Sequence, residues 1–380
     1  MFFNHVKRFC SNLHNSLKAG LEKLGHTVVI AGLNDGFKNF PVDILLKKRY
    51  QKGFFKKLKV LIYKLSKIDL YSLDIKRQIK NALPELSGFD VVQFINESAF
   101  MCTPNIEAYI FNLIQKNNSK TYLLSCGTDY TSVNYAYNKN LKYSILTPYF
   151  NEKGKKSNYQ SVLKYLKPEY KKLHDTVFKG IEGVIASDFD YQLPIQNHPK
   201  DLGMIANPIN VDVLEFKALT NLNPIVIFHG INKNNYYKKG NDLFEIALKE
   251  IQKSHGDKVK VITTHNLPYN EYIKAYNDAH IILDQVYSYD QGYNALEAMY
   301  KGKVVFTGAE KEWLEYYNLK ENSVAINALP NANYLVEKLE WLINNPNQLK
   351  LIGRQASAYV KQHHDYITIA QRYLDTWNKA

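Results

Sequence analysis

Between Ile281 and Thr307 the chain reads IILDQVYSYDQGYNALEAMYKGKVVFT. An apolar run, a polar loop ending at Gly292, a helix-forming stretch with the acid Glu297, and a second apolar run follow one another. Two short buried strands joined by a helix have few ways to pack, and a right-handed crossover in a mostly parallel sheet is the favoured one. That order sets the loop backbone and a helix N-terminus at the carboxyl edge of the sheet. Backbone N–H groups there can hold a phosphorylated ligand, and a carboxylate on the helix can accept hydrogen bonds from a polyol.

The same alternation extends in both directions. In the second half, Pro224–Gly230 reads as a strand and turn, followed by a helix carrying Leu243, Phe244, Ala247, Leu248 and Ile251. Val259–Thr263 is the next strand, then a helix over Tyr269–Asn277 and the strand Ile281–Leu283. In the first half, Leu13, Leu17, Leu21 and Leu24 recur at helical spacing, Gly25 suits a C-cap, and Thr27–Ala31 reads as a buried strand. Phe89–Ile95, Thr121–Ser125, Gly183–Ser187 and Gly203–Ala206 are further strand candidates. Only Met1-Phe2-Phe3 precedes Asn4-His5, so a first strand is either very short or the sequence as written begins late. With 380 residues, 45% of them hydrophobic, the chain exceeds one core, and two α/β domains are expected to meet near Asn210–Asn223.

Composition narrows the partners. Lysine and arginine number 49 against 36 acidic residues, a formal charge of +13, which favours a phosphate-rich partner. Lys47–Lys67, KKRYQKGFFKKLKVLIYKLSK, holds nine basic and no acidic residues, with Phe54, Phe55, Leu58, Leu61, Ile62 and Leu65 near a helical period. Such a segment can lie in an anionic membrane interface, or pack on its own domain with a solvated basic face. Nucleic-acid contact is disfavoured because no helix-turn-helix, zinc-finger or RNA-binding aromatic motif accompanies it. Cys10, Cys102 and Cys126 are widely spaced with no CxxC pair, which suggests neither a disulfide framework nor a thiolate metal site. No window reaches 18 apolar residues and the N-terminus lacks signal-peptide order, so the expected location is cytoplasmic, with peripheral contact at the inner face of the membrane left open.

Three residues stand out chemically. Lys239, ahead of a helix start, can neutralise a diphosphate on whose oxygen charge grows as a glycosyl bond breaks. Glu297 can take two hydrogen bonds from adjacent ribose hydroxyls. Asp290, seven residues before Glu297, can point to the same side of a helix or serve as its cap. Asn96, Glu97 and Asp129, at the ends of two first-half strands, face the crevice of an open sheet.

Glu297-Ala298-Met299 and Gly302-Lys303-Val304-Val305, together with Lys239-Gly240 and Leu283-Asp284-Gln285, resemble the retaining glycosyltransferases of the GT-B fold, particularly glycosyltransferase family 4. Leu24-Gly25-His26-Thr27-Val28 and Ile205-Ala206-Asn207-Pro208-Ile209 are similar to that family's amino-terminal and interdomain segments. The resemblance implies two facing Rossmann-like α/β domains: residues 1–212 for the acceptor, 213–358 for the nucleotide-sugar, and a helix within 359–380 crossing back to the first domain. It further implies transfer of a hexosyl unit from a nucleotide diphosphate-sugar, UDP slightly preferred over GDP, to a hydroxyl of a cell-surface glycan or glycolipid. The linkage is retained, and no metal or other cofactor is required. Donor binding then falls to His229, Gly230, Lys233, Lys239, Leu267, Gly292, Tyr293, Asn294 and Glu297, catalysis to Lys239, Asp290 and Glu297, and acceptor binding to Asn96, Glu97 and Asp129.

This sequence departs from the family pattern in three places. Tyr289 stands where the first family acid belongs, Cys126 where its first-domain histidine belongs, and Asn232 and Lys233 are nearest to a missing arginine. A noncatalytic glycan- or nucleotide-binding subunit, a sugar-nucleotide epimerase and a glycogen-type synthase remain the alternatives.

Overall fold

The computed structural model describes residues 2–5, 11–33, 41–50, 53–265 and 269–379. Seven parallel strands form the first sheet: β1 (Phe2–His5), β2 (Ile30–Leu33), β3 (Ile44–Leu46), β4 (Val91–Phe94), β5 (Lys120–Ser125), β6 (Gly183–Ala186) and β7 (Asp201–Met204), in the order β3-β2-β1-β4-β5-β6-β7. Five more, β8 (Ile225–Ile231), β9 (Val259–His265), β10 (Ile281–Leu283), β11 (Val304–Thr307) and β12 (Ile326–Asn327), form a second parallel sheet ordered β12-β11-β10-β8-β9. Every residue of β2, β6, β10 and β11 is buried, because helices cover both faces of a parallel sheet and its strands become continuous apolar runs.

The strand at Phe2–His5 is central. It pairs with β2 on one side and β4 on the other. Some expected bounds shift. The strand expected at Thr27–Ala31 begins at Ile30, and that expected at Gly203–Ala206 runs Asp201–Met204. In each case the ladder is set by the neighbouring strand and not by local apolarity alone. β3 and β12, three and two residues long, are too short to carry a periodic signal.

The helix Tyr366–Lys379 lies along Ser11–Lys23, closing the chain back onto the first domain. Gly20 permits the approach: a Cβ there would sit 2.3 Å from the Tyr366 carbonyl oxygen and 2.8 Å from the Ala370 Cβ. Trp377 completes the seam, its carbonyl accepting the Tyr122 hydroxyl at 3.1 Å on the central part of the sheet. The interdomain segment is fixed beside it, with Ile209 N donating to His364 O at 2.7 Å and Tyr366 N to Ile209 O at 3.2 Å.

The basic segment Lys47–Lys67 forms the helix Gly53–Ser66, which buries none of its residues. No helix among the described residues is long and apolar enough to cross a membrane.

Candidate active site

The carboxyl edges of the two sheets face each other, and hydrogen bonds join the segments that follow β6 and β10. In the second domain β8, β10 and β11 run in register, with Leu283 opposite both His229 and Phe306, so the segments leaving these strands emerge together. After β8 the chain makes a short turn over Tyr237–Lys239, passes through Gly240 at φ +70°, and enters the helix Asn241–His255. A side chain at Gly240 would be strained by that φ and would also drive into Val286, 2.6 Å from a Cβ. Lys239 O accepts Val286 N at 3.0 Å, which fastens this turn to the loop after β10.

Lys239 Nζ donates to Asp284 Oδ1 at 2.7 Å, and both side chains are largely buried. The other carboxylate oxygen of Asp284 lies 3.8 Å from the position a Cβ of Gly292 would take. One anionic group therefore sits between the lysine and the start of the helix Tyr293–Tyr300, whose N-cap is Gly292. Glu297 lies on that helix, half-buried. A helix N-terminus and an ammonium around a carboxylate make an environment suited to negative charge.

The other residues expected at the donor fall into distinct places. His229 is fully buried, its Nε2 2.8 Å from Asn241 Oδ1. Because Asn241 Nδ2 donates to Tyr236 O at 2.8 Å, Asn241 Oδ1 is the acceptor and the imidazole carries its proton on Nε2. Burial lowers the His229 pKa to about 4, so the ring is neutral and positions the Lys239–Asn241 turn from behind. Gly230 keeps room for Tyr272, whose ring would lie 2.8 Å from a Cβ. Lys233 is exposed, and Asn294 contributes its carbonyl to the Tyr276 hydroxyl at 2.8 Å. Tyr293 is buried with its hydroxyl 2.8 Å from Ser16 Oγ of the first domain, so it joins the domains at the head of the Glu297 helix. Leu267 lies outside the described residues.

Asp290 is not on the helix. That helix begins at Tyr293 and is capped by Gly292, so helical spacing does not relate Asp290 to Glu297 and Asp290 is not its cap. Its carboxylate accepts Gln291 N at 2.6 Å and, across the domain boundary, Phe189 N at 3.3 Å. In return Asp190 of the first domain accepts Tyr289 N at 3.1 Å and the Ser288 hydroxyl. Burial pushes the pKa of Asp290 up to about 7 and that of Asp190 to about 6, and holds Asp188 well above the usual carboxylate range. These crossed carboxylates were missed in the sequence, where Asp188 and Asp190 carry only the ordinary signature of a helix start.

On the first domain, Asn96, Glu97 and Asp129 come together, as their strand-end positions imply, and all three are buried. Asn96 Nδ2 donates to Thr128 O at 3.1 Å. Asp129 caps the helix Tyr130–Tyr137 through Ser132 N at 2.7 Å and accepts the Ser125 hydroxyl at 2.9 Å. Glu97 meets His174 Nδ1 at 2.5 Å. Burial raises the Glu97 pKa while His174 opposes the rise. Burial alone would lower the His174 pKa, but Glu97 outweighs it and keeps the imidazole above its ordinary value. His174 supplies an imidazole beside Asp129 that sequence reading did not anticipate, since nothing local connects it to Glu97.

A first-domain segment also spans to the second domain. Lys142 N donates to the Tyr289 hydroxyl at 2.8 Å and Lys142 Nζ to Glu310 at 2.8 Å. Tyr143 also bonds Glu310, and Lys153 Nζ reaches Asp242 at 2.5 Å. Burial would raise the Glu310 pKa, but Lys142, Tyr143 and Asn327 together hold it below the ordinary range. Among the described residues no group of three or more His, Cys, Asp or Glu is placed to hold a metal ion.

Comparison with known proteins matches this geometry at the level of fold. The sequence model of the family described as "Glycosyl transferase-like" matches residues 240–375. Sucrose-phosphate synthase from Thermosynechococcus elongatus superposes with a TM-score of 0.62 at 14% identity, over 99% of this chain and 94% of that one. HepE from Anabaena, in complex with UDP and glucose, gives 0.58 at 12% identity over 100% and 99%. A glycosyltransferase from Rickettsia africae gives 0.54 at 15% identity over 100% and 97%. The fold is GT-B. No curated protein sequence matches the chain. The two Rossmann-like domains and the returning C-terminal helix agree with the architecture expected from the sequence.

Proposed function

We propose that this protein is a retaining glycosyltransferase of the family 4 type, which moves a hexosyl unit from a nucleotide diphosphate-sugar to a hydroxyl of a cell-surface glycan or glycolipid. The observation that carries this reading is the placement of Lys239 and the Gly292 helix start on either side of Asp284, with Glu297 on the same helix. In this reading Lys239 swings from Asp284 to the donor's diphosphate and stabilises the charge that grows there as the glycosyl bond breaks. Glu297 accepts hydrogen bonds from the two ribose hydroxyls. The departing phosphate takes the acceptor's proton on the same face, so no separate general base is needed. No metal or other cofactor is assigned.

The acceptor sits against the wall made by Asn96, Glu97 and Asp129, with residues 1–212 as acceptor domain, 213–358 as donor domain and 359–380 as crossover segment. Asp290 acts as a positioning residue, holding the loop before Gly292 against Phe189. UDP is the first nucleotide to try, a choice supported by the UDP complex of the HepE neighbour.

A thermal-shift screen of UDP-, GDP- and ADP-sugars followed by mass measurement of products formed with lipid and glycan extracts tests the reading. A mass increase of one hexose on an acceptor, lost in Lys239→Ala and Glu297→Ala, is the expected result. Donor binding with no turnover across the panel would identify a noncatalytic binding subunit. An epimerised nucleotide-sugar would identify an epimerase, and glucan extension from ADP-glucose a glycogen-type synthase.

A further inference from the structure

We propose that the helix Gly53–Ser66 is a docking surface for an anionic lipid bilayer, lying flat in the headgroup region with one apolar line inserted. The line is geometric. Phe54, Leu61 and Leu65 recur at i, i+7 and i+11, which at about 100° per residue places them within about 40° of one another on the helix. They are 73%, 55% and 78% exposed. Leu58, Lys59 and Ile62 are the half-buried positions, so the helix rests on the protein by an adjacent edge and leaves the apolar line outward.

Its orientation is fixed. Lys59 Nζ lies 3.9 Å from Asp69 and 5.6 Å from the Tyr71 ring centroid, tying the helix to the next one, Leu70–Asn81. Among the described residues fifteen large hydrophobic side chains are exposed, and nine of them fall between Leu45 and Leu73. Apolar exposure is therefore concentrated here and not scattered over the surface.

Charge selects the occupant. Lys57 and Lys64 are exposed on the helix about 60–80° from the centre of the apolar line, and Lys47–Lys67 contains no acid. Lysines beside an inserted apolar line can extend their stems along it and set their ammonium groups at the level of lipid phosphates. A second copy of this chain would oppose the same lysines with lysines, which disfavours self-association through this face.

The surface also lies next to the acceptor wall. Tyr71 OH donates to Phe100 O at 2.9 Å and Thr103 N to Ser72 Oγ at 2.9 Å, so the helix beneath the docking surface holds the loop that begins with Asn96 and Glu97. If the proposed transfer reaction holds, a lipid-borne acceptor would enter from this side, but docking itself does not depend on that reaction.

Vesicle flotation of the full chain tests the proposal, using phosphatidylcholine alone and phosphatidylcholine mixed with phosphatidylglycerol. Flotation with the mixed vesicles, weakening as salt rises and at least about tenfold poorer with phosphatidylcholine alone, is expected. The variants Phe54→Ser/Leu61→Ser/Leu65→Ser and Lys57→Gln/Lys64→Gln should each lose on the order of tenfold or more in binding while keeping the wild-type melting temperature. Three results would overturn the proposal: equal binding to neutral and anionic vesicles, flotation unaffected by the serine variant, or a dimer in sedimentation that the serine variant converts to monomer. Because donor binding by the variants is read separately, loss of docking and loss of the transferase reading are distinguishable.

Discussion

Lys239 and Asp284 form an ion pair at 2.7 Å at the carboxyl edge of the second sheet, so the cation assigned to the donor's diphosphate is already opposed by a carboxylate. Removing the lysine alone leaves a largely buried acid without its partner. Lys239→Gln should therefore cost about 2–4 kcal/mol of stability and about 10²–10³-fold in turnover. The double variant Lys239→Gln/Asp284→Asn should recover most of the stability and none of the turnover. Urea unfolding beside a donor-turnover assay separates the two effects, and recovery of activity in the double variant would reduce Lys239 to a structural role.

Glu297 tests nucleotide recognition with less structural cost, being half-buried near the middle of its helix. Hydrogen bonds from two hydroxyls to a carboxylate are worth about 1.5–3 kcal/mol each. Glu297→Gln should weaken nucleotide binding by roughly 10- to 100-fold, as read by titration calorimetry. A matched loss for the ribose and 2′-deoxyribose nucleotides would show that the carboxylate does not hold the sugar.

The crossed carboxylates at the domain boundary should make stability depend on pH. Burial raises the folded pKa of Asp290 to about 7, above an unfolded value of about 3.9. The folded state then binds the proton more tightly, so the stability this group contributes is full below about pH 4 and is lost as pH rises towards 7. A measurement on Asp290→Asn at one pH would mix two effects, because the substitution also weakens the bond accepted from Phe189 N. The melting-temperature difference between Asp290→Asn and wild type should be more positive at pH 8 than at pH 5, by about 2–5 °C. A difference independent of pH would place the titration elsewhere.

Gly20 controls the seam between the first and last helices. A methyl group there meets the Tyr366 carbonyl and the Ala370 side chain, so Gly20→Ala should destabilise the protein by about 1–3 kcal/mol. Limited proteolysis should then cut first within Tyr366–Lys379, and an unchanged melting temperature and cleavage pattern would refute this account of the seam.

The legible parts of this molecule are those in which local pattern and tertiary environment agree. Ile281–Leu283 is apolar because both its faces are covered, and its bounds are recovered without adjustment. Lys239 and Gly240 announce a turn before a helix, and the turn is there. The failures are non-local. Spacing from Glu297 makes Asp290 helical, but the Ser288–Asp290 backbone packs directly onto Gly308, where a Cβ would lie 2.5 Å from Ser288 O and 2.6 Å from Asp290 N, and the chain there is a loop and not a continuation of the helix. Glu97 and His174 meet only because two elements far apart in sequence pack together, and Ser16 reaches Tyr293 for the same reason. Those contacts hold the two domains and the candidate site in position, and no periodicity encodes them.

The seam between Ser11–Lys23 and Tyr366–Lys379 has a further consequence for biosynthesis. The helix Ser11–Lys23 must wait for Tyr366–Lys379, made much later, before one side of it is covered, and β1 must wait for β4 before it is paired on both edges. Domain-by-domain folding during translation is therefore incomplete for the amino-terminal half. Nascent chains stalled before Tyr366 should leave the Gly20 face of Ser11–Lys23 open to chaperones until the helix Tyr366–Lys379 is released.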